Sequence, residues 1–435
     1  MLPSEATHSS LDLFEKPPLL ITFDDSFCQK IGPVYSPNGP MLEFEVTGDR
    51  NNFIDLQKIF VEIKCKIIQS TGAPLEYDGT SAATKADITK TNSPYLANNT
   101  LHSLFSDCTI SANGLKISNA NGHYAHKSFI ETEFSHNKDA KNTWLVCQGY
   151  QFEANPAALG TTVATARKEP FLDSNIVQYY GRVAVDFFTT DRHLLNGVTL
   201  RIAFRRSPDD FVVYSDDAGK HYKVAIVEAN LYVRKMTVND NVVASIERTL
   251  MKSPAIYPYF ETISKTFLVS TGQWGWKHEN IFDKEPIRRI AICMSTNESF
   301  VGNHRQNPFH YQKFDLSEIS ICRNGLPIAD SPISTSNIKR LYFNTLSDLA
   351  YVDDGHGISR EDYPNHFVMV FDLTSTQQAS HDFIHPELTN SSISVEMKFA
   401  TALTDNIEIF IVGEKASTIY IDSNRKVSKN MPIAA

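Results

Sequence analysis

SDCTISANGLKI, residues 106–117, predicts a β-hairpin on its own. Asn113-Gly114 supplies the two positive-φ residues that a type I′ turn needs, between flanks of alternating apolar residues. SEISICRNGLPI, residues 317–328, then repeats the signal. Asn324 lies 211 positions after Asn113 (324 − 113), and at that offset Cys108, Ile110, Leu115 and Ile117 fall on Ile319, Ile321, Leu326 and Ile328. In a two-residue hairpin those four positions share one face. Turn and inward residues are written twice.

If the hairpins are equivalent, other strands repeat in the same order. Val198, Leu200, Ile202 and Phe204 in GVTLRIAFRRS match Ile393, Val395, Met397 and Phe399 in SISVEMKFATA, at an offset of 195 (393 − 198). A weaker pair is Leu56–Val61 with Ile287–Ile292, at 231 (287 − 56). The falling offsets assign longer loops to the first half. Stretches 69–100, 151–170 and 351–364 are polar or turn-rich, and the first two read as long exposed loops. Between the halves, NDNVVASIERTLMK (239–252) is the best helical segment: Val242, Val243, Ile246 and Leu250 fall near one face, with Asn239 or Asp240 as the cap. Elsewhere each half reads as short strands at sandwich spacing. The sequence predicts one β-sandwich, duplicated.

Composition supports an all-β protein. Hydrophobic residues make up 42% of 435, with 27 Phe and 17 Tyr, enough for large cores. A formal charge of −9 and the lack of a basic stripe argue against a genome-coating role. No apolar run reaches membrane-spanning length and MLPSEATHSS does not read as a signal peptide, so the expectation is a soluble chain made in the cytosol. The six cysteines are scattered without a CxxC pair and read as reduced thiols, several of them in strand cores. Sequons at Asn98, Asn297 and Asn390 are read as chance.

Catalytic motifs are absent: no GxSxG elbow, Walker A loop, HExxH or EF-hand pattern. His123 with His126, and His381 with His385, carry little geometric meaning outside a helix and read as packed or solvated. Asp353, Asp354, Glu361 and Asp362 crowd one loop, but their spacing fits no known cation cage, and a charged turn with Arg360 as partner is preferred. Trp274 and Trp276, and the aromatic run Tyr257-Pro258-Tyr259-Phe260, suggest a subunit interface. The expectation is no catalytic residue, no cofactor and no metal site.

Longer segments carry a resemblance. FIDLQKIFVEIKCKI, NNTLHSLFSDCTISANGLKIS, DRHLLNGVTLRIAFRRSPDDF, NPFHYQKFDLSEISICRNG, DDGHGISREDYPNHFVMVFDLT and the closing SSISVEMKFATALTDNIEIFIVGEKASTIYIDSNRKV resemble the major capsid proteins of Polinton/Maverick-type viruses, including adintoviruses and endogenous copies in animal genomes. GISREDYPN and IDSNRKV are the most specific pieces. The resemblance implies a double jelly roll: an arm at 1–40, a first jelly-roll domain at 41–238 and a second at 239–435, with a short helix between or within them. It further implies a homotrimer with pseudo-hexagonal outline, neighbouring capsomers and a minor penton protein as partners, and location in a virion after synthesis in the host cytoplasm, with assembly there or in the nucleus. Two alternatives stay open: a minor capsid or vertex protein, and a duplicated-sandwich glycan-binding protein or glycan amidase. The arm holds an apolar run, Leu19–Phe23, able to add a strand to a neighbour's sheet or to its own subunit.

Overall fold

The computed structural model describes residues 22–75, 94–157, 166–215, 221–328, 331–336, 338–352, 355–377, 379 and 391–429. In the first half the principal strands are β1 (Phe23–Ile31), β2 (Met41–Val46), β3 (Asn52–Gln69), β4 (Phe105–Ala112), β5 (Leu115–Asn119), β6 (Val177–Arg182), β7 (Leu200–Arg206) and β8 (Tyr222–Val238). They pair antiparallel into two sheets, ordered β1-β8-β3-β6 and β2-β7-β4-β5.

The second half supplies β9 (Ala255–Val269), β10 (Gly275–His278), β11 (Ile287–Thr296), β12 (Leu316–Arg323), β13 (Leu326–Pro327), β14 (Val368–Asp372), β15 (Ile393–Phe399) and β16 (Ile407–Ile421). Their sheets are ordered β9-β16-β11-β14 and β10-β15-β12-β13. Each strand of the first half thus occupies the sheet position of the strand numbered eight higher in the second. Short strands Ile333–Ser334 and Val427–Lys429 extend the second pair of sheets.

Alternation builds both cores. Leu42, Phe44, Val61, Ile63, Ile202, Phe204 and Leu231 are buried in the first sandwich, and Ile290, Ile292, Val395, Met397, Ile409 and Ile411 in the second. Each such side chain contributes roughly 1.5–3 kcal/mol by leaving water. The two turns are conformational twins: Asn113 and Gly114 have φ of 45° and 84°, Asn324 and Gly325 of 53° and 79°. Asn113 N–H donates to Thr199 O at 3.0 Å and its Oδ1 accepts from Thr199 N at 2.9 Å; Asn324 does the same with Ser392 at 2.8 Å and 2.8 Å.

That pairing corrects one register. Cys108 stands opposite Phe204 and Ile319 opposite Met397, so β7 and β15 correspond at 193 residues (397 − 204) and not 195. A two-residue slip leaves every side chain on its own face, which is why the apolar parity alone did not detect it.

Three helices of eleven residues matter here: α1 (Tyr124–Phe134), α2 (Asp240–Leu250) and α3 (Ile338–Asp348). α2 is the helix expected between the halves, and Asn239 caps it by accepting from Asn241 N at 3.1 Å. α1 and α3 were not expected. They lie in matching connections, from β5 to β6 and from β13 to β14.

Other expectations need correction. Within the segment read as an arm up to residue 40, Phe23–Ile31 form a strand of the chain's own sheet, pairing with β8 along its length; residues 1–21 lie outside the described residues. The presumed exposed loops have buried ends: Tyr95-Leu96 pairs with Val213-Tyr214, and Glu153 meets Arg167 in a buried ion pair. Cys65, Cys108 and Cys293 are buried thiols as read, with burial pushing Cys65 up to about 12, whereas Cys28 and Cys147 are exposed.

Candidate assembly surface

The two sandwiches meet through α1. In β11 the inward residues are Ile290 and Ile292, so Arg289, Ala291 and Cys293 point outward. Ala291 stands beside Val370 and Val412, and Cys293 beside Val368 and Phe410, forming an apolar outer face. α1 lies on it. His123 and His126 pack on the Phe410 ring at 5.4 and 5.8 Å, and His123 Nδ1 is 3.1 Å from Ser264 Oγ. Most of α1 is buried, since Tyr124 packs into its own sandwich against Phe204 at 6.1 Å while Phe129 stacks on Phe309 of the second half at 4.2 Å.

Polar groups lock this seam. Lys127 Nζ donates to Asp186 Oδ2 at 2.7 Å, and the same oxygen accepts from Thr262 N and Oγ1 at 2.9 Å each. Arg425, from the IDSNRKV stretch, donates through Nε to Asn196 O at 2.8 Å and pairs with Glu247; its own carbonyl accepts from Asn113 Nδ2 at 2.8 Å. Beside α1 a cavity of about 260 Å³ is walled by Ile130, Phe134, Phe260, Val370 and Val412. Glu131 borders it, and burial pushes its carboxyl up to about 7 against the pull of Lys127.

The residues singled out in the sequence scatter. His126 is a packed histidine, stacked on Phe300 at 4.0 Å, with Nδ1 3.1 Å from Tyr311 OH and Nε2 3.2 Å from Phe300 O. Burial pushes its pKa down to about 3, so it is neutral. His381, His385, Asp353 and Asp354 lie outside the described residues. Glu361 is exposed beside Arg360 at 3.3 Å, and Asp362 accepts from Ser359 Oγ at 2.6 Å. Among the described residues no three His, Cys, Asp or Glu side chains converge as metal ligands. Trp276 packs on Phe267 at 5.1 Å, while Trp274 is 63% exposed. The Tyr257–Phe260 run, expected at a subunit interface, is used inside the chain: Tyr257 OH donates to His193 O at 3.1 Å, and Tyr259 packs on Phe187 at 5.5 Å.

Sequence reasoning missed the outer face of β1-β8-β3-β6. There Phe60 stands beside Tyr232 and Arg182, and Glu62 beside Asn230 and Tyr180. Phe60 stacks on Tyr180 at 5.4 Å, and Tyr232 meets Tyr180 edge-on at 5.8 Å. Burial acts to raise the Glu62 pKa, but hydrogen bonds from Tyr232 OH (2.8 Å) and Asn230 Nδ2 (3.0 Å) hold it below the usual value. Lys64, Asn230 and Lys30 hold Glu228 down at about 2. The face is aromatic and polar, with its side chains held by one another. The legible signal was the outward alternation Phe60-Glu62-Lys64, hidden because polar outward residues are normal in strands.

No family model and no curated protein matches the chain. Solved structures do. A chain of the Sputnik virophage structure matches over 100% of this chain and 94% of its own, at 12% identity and a TM-score of 0.69. The mavirus major capsid protein matches over 99% and 95%, at 11% and 0.57. The Faustovirus major capsid protein matches over 95% and 92%, at 8% and 0.56. Two like sandwiches in tandem, paralleled from end to end by virus chains of the same build, make this a double jelly-roll protein.

Proposed function

We propose that this chain is the major capsid protein of an icosahedral virus-like shell, built from pseudo-hexagonal homotrimers. The observation that carries the reading is the strand-for-strand duplication, matched over almost the full length of two solved major capsid proteins. Two similar wedges per chain let a threefold assembly present six similar sides to a lattice. The segments quoted for the Polinton/Maverick resemblance support a reading in which it belongs to that group, with a virion as its location and with neighbouring capsomers and a penton protein as partners. Its role is structural and not enzymatic: the buried histidines and carboxylates at the seam are engaged in packing and hydrogen bonds.

The test is imaging of the purified protein together with light scattering. Particles with three times the chain mass and a hexagonal outline are expected. A monomer at micromolar concentration across moderate salt would overturn the reading.

A further inference from the structure

The cavity of about 260 Å³ beside α1 has a charged wall in which one group stands apart. Lys127 Nζ is committed to Asp186 at 2.7 Å. Arg288 Nε donates to Glu414 Oε1 at 3.0 Å, and Arg289 Nε to Glu414 Oε2 at 2.9 Å. Among the described residues, the Glu131 carboxyl has neither a hydrogen bond nor an ion pair. Burial pushes it hardest toward the protonated form; Lys127 opposes this, while Asp186 and Glu414 add to it. What the site lacks is a hydrogen-bond donor carrying positive charge. The rest of the wall is apolar, with Ile130 and Phe134 on the α1 side and Ala291, Val370 and Val412 on the sheet side. An apolar cavity of about 150 Å³ holds a benzene-sized molecule, so this one has room for a short alkyl chain with a polar head.

We propose that this cavity is a binding site for a small amphipathic monoamine, with its ammonium group on the Glu131 carboxylate and its apolar chain along Ile130, Phe134, Val370 and Val412. The site does not depend on the capsomer reading, because every wall belongs to one chain. An anion is disfavoured, since three carboxylates face the cavity and its cations are already engaged. A second cavity of about 240 Å³ also touches Glu131, but Arg182 lines it, over the Trp144 ring at 5.9 Å, and steers a cation to the α1 side. Both sandwiches contribute to the wall, so an occupant ties the seam together and raises the melting temperature as its concentration rises. Binding takes the ionised form of Glu131. With its pKa at about 7, that form is about 10-fold more populated at pH 8 than at pH 6, whereas an alkylammonium stays charged throughout. The other charged groups facing Glu131 are those in the two pairings above. In the second cavity burial pushes His102 down to about 4 and holds His136 below its usual value. Asp348, which burial pushes up to about 6, faces Arg289, and a Glu131 variant separates its titration from that of Glu131.

Calorimetric titration of the full chain with hexylammonium tests this, with hexan-1-ol and hexanoate as neutral and anionic ligands of the same chain length. Hexylammonium is expected to bind with a Kd of roughly 1 mM at pH 8 and about 10-fold more weakly at pH 6, and hexanoate at least about 10-fold more weakly than hexylammonium. Glu131→Gln keeps the side-chain shape and removes the charge. It is expected to weaken hexylammonium at least about 10-fold at pH 8 and to abolish the pH dependence. Ala291→Leu fills the cavity from the sheet side and is expected to weaken hexylammonium and hexan-1-ol alike. Circular dichroism and melting establish that each variant is folded. Hexanoate binding as tightly as hexylammonium overturns the cationic head group. Affinity or pH dependence unchanged in Glu131→Gln overturns the assignment to Glu131. Hexylammonium that fails to bind the parent, or binds a folded Ala291→Leu variant as it binds the parent, overturns the site.

Discussion

Asp186 of the first sandwich accepts two hydrogen bonds from Thr262 of the second, through the same oxygen that receives Lys127 Nζ. All three groups sit where α1 meets the second sandwich, and both ionic side chains are about nine-tenths buried. Asp186→Ala leaves Lys127 without its partner and is expected to cost about 3–5 kcal/mol, measured by denaturant unfolding. Thr262→Val keeps the backbone bond and removes only the hydroxyl, and about 1 kcal/mol is expected. Equal losses in the two variants would show that the ion pair is not what holds the seam.

Gly114→Val and Gly325→Val should each destabilise by about 1 kcal/mol or more, seen as lowered melting temperatures. A Cβ at either glycine meets nothing within 4 Å, so the loss comes from the positive φ alone. Matched losses are expected because the two turns share conformation and closure. Melting unchanged from the parent in both variants would contradict the turn assignment.

Acid should weaken the fold through its buried histidines. Burial pushes His126 down to about 3 and His102, His310 and His356 to about 4, all below the usual 6.5. Their neutral forms are favoured in the fold, so the stability they support is full above pH 6.5 and is lost as pH falls toward 4 and then 3. Glu131, raised to about 7, has the opposite sign: its protonated form is favoured in the fold, so stability falls as pH rises from about 4.5 to 7. The two trends oppose each other in that window, and the steepest loss is expected below pH 4.5. Melting temperatures from pH 7.5 to 3.5 read this directly. His126→Phe should flatten the acid limb, and an unchanged limb would remove His126 as its source.

Excess chelator, and Asp353→Asn with Asp354→Asn, should leave assembly unchanged. Glu361 is exposed and Asp362 is engaged by Ser359, so neither is poised toward a shared ion. Loss of assembly restored by calcium would make this loop a structural metal site.

What the sequence revealed and what it hid follow from period. Strands repeat every two residues, so the hairpins, the β7/β15 match and most inward faces were legible from alternation, although Leu115 and Leu326, read as inward, are exposed beside the turns. The same period made the β7/β15 register ambiguous by two, and the Asn113–Thr199 and Asn324–Ser392 bonds were needed to fix it. α2 was legible because Val242, Val243, Ile246 and Leu250 give it one apolar stripe. α1 was not, because a helix buried between two sandwiches has apolar residues and histidines on several sides and no clear period. His123 and His126, read as packed or solvated, are packed, His123 against Phe410 and Ser264 and His126 against Phe300.

The seam under α1 also has a consequence for concentration. Because its helix and its sheet are tethered by one backbone, it closes at a fixed effective concentration, however dilute the protein is. Any contact between separate chains has no such tether and depends on concentration. Closing the seam is therefore first-order in protein, whereas any association of copies is of higher order, so dilution separates the two.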